Sequence, residues 1–427
     1  MSNISYKYIK VSSESQKSTT EIMNKSFWQS KIWAEILGKT KQARDIILAI
    51  SGNSEILIER RSIFRNYCGL YILGVHPELI TEAFLDSLKK EVVTAQDMFL
   101  QIEPIGIVNG ELWTVNSKKN PPFCFFNFAF LIWKKAPFRR FIEPVTAILN
   151  LKSPCQGGKE KQEWDKGVLS EDELVASFAE KGRYNIRLAQ KRGVTTRWVS
   201  WNTKYKIQNT KWDTEKGTKT CPRRSEQISL RVKGGSGGIT EENKSYIESF
   251  YDLLEETTER DGFSHNSLAY YRHFVETLEA HDAGGLLVAE KNGVLHAAGI
   301  FVYGCTSPLT PLPRGRGEGD EGVGVRFPVG TAIYYYGASS SNKEIRRDMA
   351  TYLLQWDAIR EAMRRWCGEY DFLGISEDGT GKLAGVTEFK LRYNPEKRHL
   401  PTEYIIIYRP LLLKFLQIVN KIRKMFR

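Results

Sequence analysis

No stretch of this sequence approaches the roughly 18 consecutive apolar residues that a membrane-crossing helix needs, and the opening Met1 to Glu21 has no apolar core behind a basic start. A spanning protein and an exported one are both disfavoured, and a cytosolic location is expected. Cysteine is scarce and scattered: Cys68, Cys124, Cys155, Cys221, Cys305 and Cys367 form no Cys-x-x-Cys and no Cys/His pair. Neither a zinc site nor a disulfide framework is indicated, and the six are read as reduced thiols. Nothing in the pattern calls for a metal or a cofactor. What the chain does have is an ordinary folded composition, 41% apolar, 12% aromatic and 26% charged, over 427 residues, enough for two or three domains with cores of their own. The net charge of +12 points to an acidic partner, with nucleic acid, anionic lipid and phosphorylated substrates all qualifying.

The same order of elements occurs twice. In the first half Asp45-Ile-Ile-Leu-Ala-Ile50 and Glu55-Ile-Leu-Ile-Glu59 flank a Ser-Gly-Asn turn and predict a hairpin. A strand around Gly69 to Leu73, a helix from about Glu78 to Val93 and a strand from Asp97 to Ile102 follow. In the second half Gly285 to Glu290 and Val294 to Tyr303 flank Lys291-Asn-Gly293, a stronger hairpin signal because Asn-Gly readily supplies positive φ. Ile333 to Gly337 then predicts a strand, and Tyr370 to Gly374 another. Between them a helix is expected from Glu344 to Trp366, with Ile345, Met349, Tyr352, Trp356, Ile359, Met363 and Trp366 at steps of three and four. Two copies of hairpin, strand, helix and strand predict an α/β (α+β) chain of two lobes with related topology.

Three polar segments, near 152–166, 202–238 and 305–330, interrupt this pattern: the first two are Gly-rich and basic and have no apolar face to bury, and the Pro, Gly and charge content of the third predicts a flexible surface excursion. The third contains Arg314-Gly-Arg-Gly-Glu-Gly319, which resembles a phosphate loop but leads into more glycine and then Phe327-Pro328 rather than a helix. In acetyltransferases of the GNAT type a glycine-rich turn between strand and helix binds the pyrophosphate of acyl-CoA. The corresponding Gly337-Ala-Ser-Ser-Ser-Asn-Lys343 has no glycine after the first. An acyl-CoA donor is disfavoured, and Ser339 to Ser341 are read as a possible helix cap or anion contact.

Arg183-Tyr-Asn-Ile-Arg-Leu-Ala-Gln-Lys-Arg-Gly-Val194 resembles the FemABX family of peptidoglycan-bridge aminoacyltransferases. Further resemblances follow in the family's order: Phe27-Trp-Gln-Ser-Lys-Ile-Trp-Ala-Glu35, Gln101-Ile-Glu-Pro104, Glu259 to His265 with Tyr270-Tyr271, Tyr334 to Ser339, Tyr370-Asp-Phe-Leu-Gly374 and Gly385-Val-Thr-Glu-Phe-Lys390. The resemblance implies two tandem GNAT-like lobes, 1–150 and 151–401, with the segment 402–427 returning to the first. It implies transfer of an amino acid from aminoacyl-tRNA to the stem peptide of a lipid-linked or UDP-linked muropeptide. It also makes Lys390 the catalytic lysine, with Tyr270, Tyr334, Tyr336, Asn266, Phe389 and Lys39 around the acceptor.

Alternate strand residues share a face, so Tyr334 and Tyr336 are expected to point together and Tyr335 away. Arg183, Asn185, Arg187, Lys191 and Arg192 form a basic cluster on a predicted helix, either a solvated face or a contact for tRNA or head-group phosphate. The chain departs from the family in having Asn266 at a frequent arginine and Tyr393-Asn-Pro395 at a frequent Phe-Gly-Gly. Glu103, at a position where one subgroup has aspartate, is not read as a general base.

After the strand-like Tyr404 to Tyr408, Pro410 opens a helix expected to collect Leu412, Phe415, Leu416, Val419, Ile422 and Phe426 on one face, flanked by Lys414, Lys421, Arg423, Lys424 and Arg427. Residues 411–427 suit a peripheral contact with an anionic membrane surface, and packing on the first lobe is the competing reading. Two other functions stay open: an acyl-CoA-dependent N-acyltransferase acting on a cell-surface glycan or peptide, and a non-catalytic membrane-associated homologue that binds the precursor.

Overall fold

A computed structural model describes residues 4–8, 26–51, 54–105, 140–152, 169–199, 241–304 and 330–425. Apart from their end residues, the three polar segments lie outside these. The chain opens with β1 (Ile4–Tyr8), α1 (Lys31–Lys39), β2 (Asp45–Ser51), β3 (Ser54–Phe64), β4 (Tyr67–Val75), α2 (Glu82–Glu91) and β5 (Asp97–Pro104). There follow β6 (Val145–Asn150), α3 (Glu171–Ser177), α4 (Glu180–Lys191), β7 (Thr195–Val199), α5 (Glu241–Asp261), α6 (Leu268–Ala280), β8 (Gly284–Lys291) and β9 (Val294–Tyr303). The last elements are β10 (Thr331–Ser339), α7 (Lys343–Arg347), α8 (Ala350–Arg364), β11 (Glu369–Gly374), α9 (Ala384–Leu391), β12 (Glu396–His399), β13 (Tyr404–Ile407) and α10 (Pro410–Met425).

The strands form a six-stranded sheet, ordered β1-β2-β3-β4-β5-β13, and a seven-stranded sheet, ordered β12-β6-β11-β10-β9-β8-β7. In each, two strands joined through helix run parallel, β4 beside β5 and β10 beside β11, as a crossover connection requires. This is the duplicated order that the sequence repeats. By compactness the chain divides into one unit of 1–184, 302–335 and 358–427 and another of 185–301 and 336–357.

In the first sheet the β-branched and leucine positions build the core. Ile47, Ile58, Leu70, Ile72, Leu100 and Ile102 pack with Phe84 and Leu88 of α2, residues four apart that share one helix face. Thr81 caps α2 by accepting the Phe84 N–H. The Phe27 to Glu35 motif proves to be structural: the buried Gln29 amide donates to the Leu73 carbonyl at 2.7 Å and accepts from the Leu57 N–H at 2.7 Å, tying β3 to β4. Ser30 caps α1 through the Trp33 N–H, and the Trp33 indole donates to Glu59 at 2.7 Å.

Three expectations are corrected in the second half and at the end of the chain. The helix expected to run unbroken from Glu344 to Trp366 is two helices, because Met349 sits at φ +56° beside Asp348, which the cations of Lys291 and Arg192 hold at 2.8 and 3.7 Å. The single apolar face expected on α10 is divided. Leu413 and Leu416 are buried, whereas Leu411, Phe415, Ile418 and Ile422 are exposed. Finally, Cys68 is a free buried thiol, but Cys367 is disulfide-bonded, a tertiary pairing that spacing in sequence does not reveal.

Candidate functional site

Lys390 lies in the last turn of α9 and is only 6% exposed. Its ammonium donates to the Gly374 carbonyl at 2.7 Å and to the Leu373 carbonyl at 3.4 Å. Those carbonyls converge because β11 bulges: Asp371 pairs with Ile148 and Gly374 with Thr146 on β6, leaving one extra residue on β11. Leu373 takes φ +59° inside the bulge, and a Cβ at Gly374 would overlap the Glu143 side chain. The Asp371 carboxylate accepts the Leu373 N–H at 2.7 Å and the Thr146 hydroxyl. Burial pulls the Lys390 ammonium down to about 8, against the attraction of Asp371 and Glu143. Burial pushes Asp371 up to about 6, against the Thr146 and Leu373 donors and the charges of Lys390 and Arg398. The lysine is therefore mostly protonated at neutral pH, with one of its three N–H donors beyond the two carbonyls.

Three residues after Lys390, Tyr393 is fully buried among Phe178, Phe372 and Phe389, with ring centroids 5.2, 5.2 and 5.9 Å away. Asn394 follows at φ +53°, a left-handed conformation that asparagine tolerates better than most residues. The departure from Phe-Gly-Gly thus keeps an aromatic anchor and a residue able to make the turn. Tyr334, half-buried on β10, lies close enough to the buried Tyr370 hydroxyl to interact with it electrostatically.

A second grouping joins Tyr270 and Tyr336, whose hydroxyls are 3.0 Å apart. The Tyr336 ring also meets Tyr271 and Phe274 edge-on, at 5.1 and 5.7 Å. Ser267 caps α6 through the Tyr270 N–H, which fixes the turn that presents both tyrosines. Asn266 donates its backbone N–H to the Tyr271 hydroxyl at 3.1 Å, so it supports the aromatic group. His265 is exposed with its ring edge on Tyr251. Tyr335 is directed elsewhere, to Phe27, Trp28 and Trp33 at 5.4, 6.4 and 6.3 Å, and burial raises its hydroxyl.

The turn between β10 and α7 engages its own backbone donors. Ser339 N–H goes to Thr257 Oγ1, Ser340 N–H to the His296 carbonyl, Ser341 N–H to the Glu256 carboxylate and Asn342 N–H to Ser340 Oγ. The cap of α7 is Asn342, which accepts the Glu344 N–H, rather than one of the serines. A pyrophosphate here would meet a carboxylate and donors already in use.

The remaining candidates separate by what holds them. Lys39 pairs with Glu35 on its own helix at 2.6 Å. Arg183 donates to the Ala176 and Phe178 carbonyls at the end of α3, and Arg192 to Asp348 and the Arg347 carbonyl. Asn185 is buried. Arg187 and Lys191 are exposed, four residues apart and therefore on one face, and neither has a partner among the described residues. Glu103 is fully buried, accepting the Phe141 and Ile142 N–H groups and the Gln101 amide at 2.9, 2.7 and 2.6 Å. It fixes the segment entering β6, and burial raises its carboxyl.

Two mixed sheets, each with a parallel pair and a crossover helix, are tandem GNAT-like lobes. The crystal structure of FemX shares this fold, with a TM-score of 0.59 at 14% identity over 94% of this chain and 99% of that one. The model of the FemAB family matches residues 162–292 and 325–421, together more than half of the chain; the chain belongs to the FemAB family. Lipid II:glycine glycyltransferase of Staphylococcus aureus is 25% identical over 232 residues, 49% of each protein. The chain thus spans about half the length of the curated relatives it matches.

Asp371, Thr146 and Glu143 were not singled out from sequence. The only signal was an aspartate inside the apolar strand Tyr370 to Gly374, and its partner Thr146 lies 225 residues away.

Proposed function

We propose that this protein is an aminoacyltransferase that moves an amino acid from aminoacyl-tRNA to the stem-peptide amine of a lipid-linked or UDP-linked peptidoglycan precursor. The observation that carries the reading is Lys390: a protonated lysine buried under two carbonyls in a member of a family with a named lipid II glycyltransferase. The neutral acceptor amine attacks the ester carbonyl, a C–N bond forms, and the carbonyl oxygen becomes an oxyanion. The remaining Lys390 N–H donates to that oxygen, stabilising it most where water is excluded. Collapse breaks the ester C–O bond, and the proton lost by the amine leaves with the ribose oxygen. No enzyme base is required if the amine arrives neutral.

Tyr270, Tyr336, Tyr334, Phe389 and Asn266 are assigned to the acceptor side. Arg187 and Lys191 are the basic pair left for tRNA phosphates, whereas Lys39, Arg183 and Arg192 are already engaged. The exposed stripe Leu411, Phe415, Ile418 and Ile422, with Lys414 exposed beside it, is assigned to the inner face of the membrane. None of the helices among the described residues is long and apolar enough to cross it. The lobes are assigned to 1–150 with 402–427 and to 151–401; the pairing of β13 on β5 supports the return of the last segment, whereas β6, at the end of the first range, pairs in the second sheet.

The test is incubation of purified protein with charged tRNAs and lipid-linked or nucleotide-linked precursor, followed by mass spectrometry for an added aminoacyl residue. A product lost in Lys390→Ala supports the reading; no product with any common charged tRNA, in detergent and with membranes, overturns it. Thermal stabilisation by CoA and not by tRNA would point to the acyl-CoA donor instead.

A further inference from the structure

Among the described residues Lys390 is seated by the Leu373 and Gly374 carbonyls and not by a carboxylate in direct contact. Leu373 and Gly374 present them because the strand bulges, with Leu373 in a left-handed conformation that strains a non-glycine residue. Such a conformation persists when surrounding contacts over-determine it. Here the contact is a side chain two residues earlier: Asp371 Oδ1 accepts the Leu373 N–H at 2.7 Å, and Thr146 on β6 donates to the same oxygen.

We propose that Asp371 is a positioning residue for Lys390: its carboxylate, anchored by Thr146, holds the Leu373–Gly374 bulge whose carbonyls seat the ammonium, and its charge keeps that ammonium protonated. The proposal rests on the reading of Lys390 as the group that meets the oxyanion. Among the described residues the charged groups that act on Lys390 are Asp371 on β11 and Glu143 ahead of β6, with Arg398 on β12 acting on Asp371. Asp371 also acts on the Tyr370 hydroxyl, which burial pushes well up and which Tyr303, Tyr334 and Tyr393 approach. Glu143 cannot substitute for Asp371 in both duties, since its side chain packs against Gly374 and the Leu373 N–H is taken by Asp371.

The two duties separate by substitution. Asp371→Asn keeps an oxygen for the Leu373 N–H and removes the charge, whereas Asp371→Ala removes both. The Lys390 protonation midpoint is read without turnover, by competitive acetylation with acetic anhydride across pH and mass spectrometry of the Lys390 peptide. Transfer kinetics across pH are read alongside.

In Asp371→Asn the Lys390 midpoint is expected to fall by about one unit or more. The alkaline limb of kcat/KM should move down in pH by the same amount, with near wild-type rates recovered on the acid side. Asp371→Ala is expected to lower kcat more than tenfold at every pH while thermal melting still shows a folded protein. An Asp371→Asn midpoint equal to that of wild type, together with a wild-type kcat in Asp371→Ala, overturns the proposal. If Asp371→Ala does not fold, the Asp371→Asn midpoint alone decides. If the wild type transfers nothing in any assay, the proposed function fails, while the acetylation midpoint still tests Asp371.

Discussion

Replacing Lys390 by methionine should change how the protein's stability depends on pH. The side chain is 6% exposed, and its ammonium titrates at about 8 in the fold against an ordinary value of 10.5. Between those two values the unfolded chain holds a proton that the folded chain has released, so stability rises with pH across the window. Below about pH 8 the buried charge destabilises the fold in full, and above about pH 10.5 it does so no longer. A depression of this size corresponds to about 3 kcal/mol at 1.36 kcal/mol per unit. Methionine has nearly the same length and no charge. It leaves the Leu373 and Gly374 carbonyls without their donor, a loss of about 1–3 kcal/mol that does not vary with pH.

The decisive quantity is therefore the slope. In urea unfolding at half-unit steps from about pH 7.5 to about pH 10.5, the wild type should gain about 3 kcal/mol relative to Lys390→Met. Groups that titrate alike in both proteins cancel in the difference. Parallel stability curves would show that the Lys390 ammonium titrates alike in the folded and the unfolded chain, and the desolvated seat assigned to it would be refuted.

The remaining predictions concern other parts of the chain. The Lys390-dependent transfer rate should decline above about pH 8 as the ammonium loses its proton, and a rate still rising at about pH 9.5 would contradict this. Tyr336→Phe removes the hydroxyl 3.0 Å from Tyr270 while keeping the ring contacts; it should lower stability by about 0.5–1.5 kcal/mol and weaken precursor binding in calorimetry. Asn394→Ala places a less tolerant residue at φ +53° and should cost about 1 kcal/mol, whereas Asn394→Gly should melt near wild type. On α10, Leu413→Ala should cost about 2–5 kcal/mol. The double change Phe415→Ser with Ile418→Ser should leave the melting temperature nearly unmoved and reduce cosedimentation with anionic phospholipid vesicles.

The elements that could be read from the sequence are those whose cause is local. Asp45 to Glu59 and Gly285 to Tyr303 state their hairpins through alternation and turn residues, and the structure places strands there. The break in the helix at Met349 was hidden because its apolar spacing continues through the break; the cause is Asp348 held by Lys291 and Arg192 from distant segments. The α10 face was misassigned for a related reason. Periodicity finds apolar residues but not which of two adjacent stripes meets protein, and Leu413 and Phe415 differ only in what lies opposite them. Lys390 was singled out through the family motif, whereas its surroundings were not legible, because Thr146, Asp371 and the bulge at Leu373 come together only in the fold.

The fold sets Lys390 apart from the cations that are engaged nearer the surface. Lys39, Arg183 and Arg192 are held by a carboxylate, by helix-end carbonyls, or by both, and their removal should be felt chiefly as lost stability. Lys390 is the opposite case: it is buried with a depressed pKa, next to a leucine in a left-handed conformation and a carboxyl raised to about 6. Each of these features opposes folding, and they occur within one bulge and the helix turn that faces it. Departures from local rules that lack a stabilising return concentrate where chemistry is performed. The cluster therefore carries more weight for function than Lys390 alone. It also explains why Asp371, rather than the better-paired Glu103, is the carboxylate whose substitution should alter the pH profile of transfer.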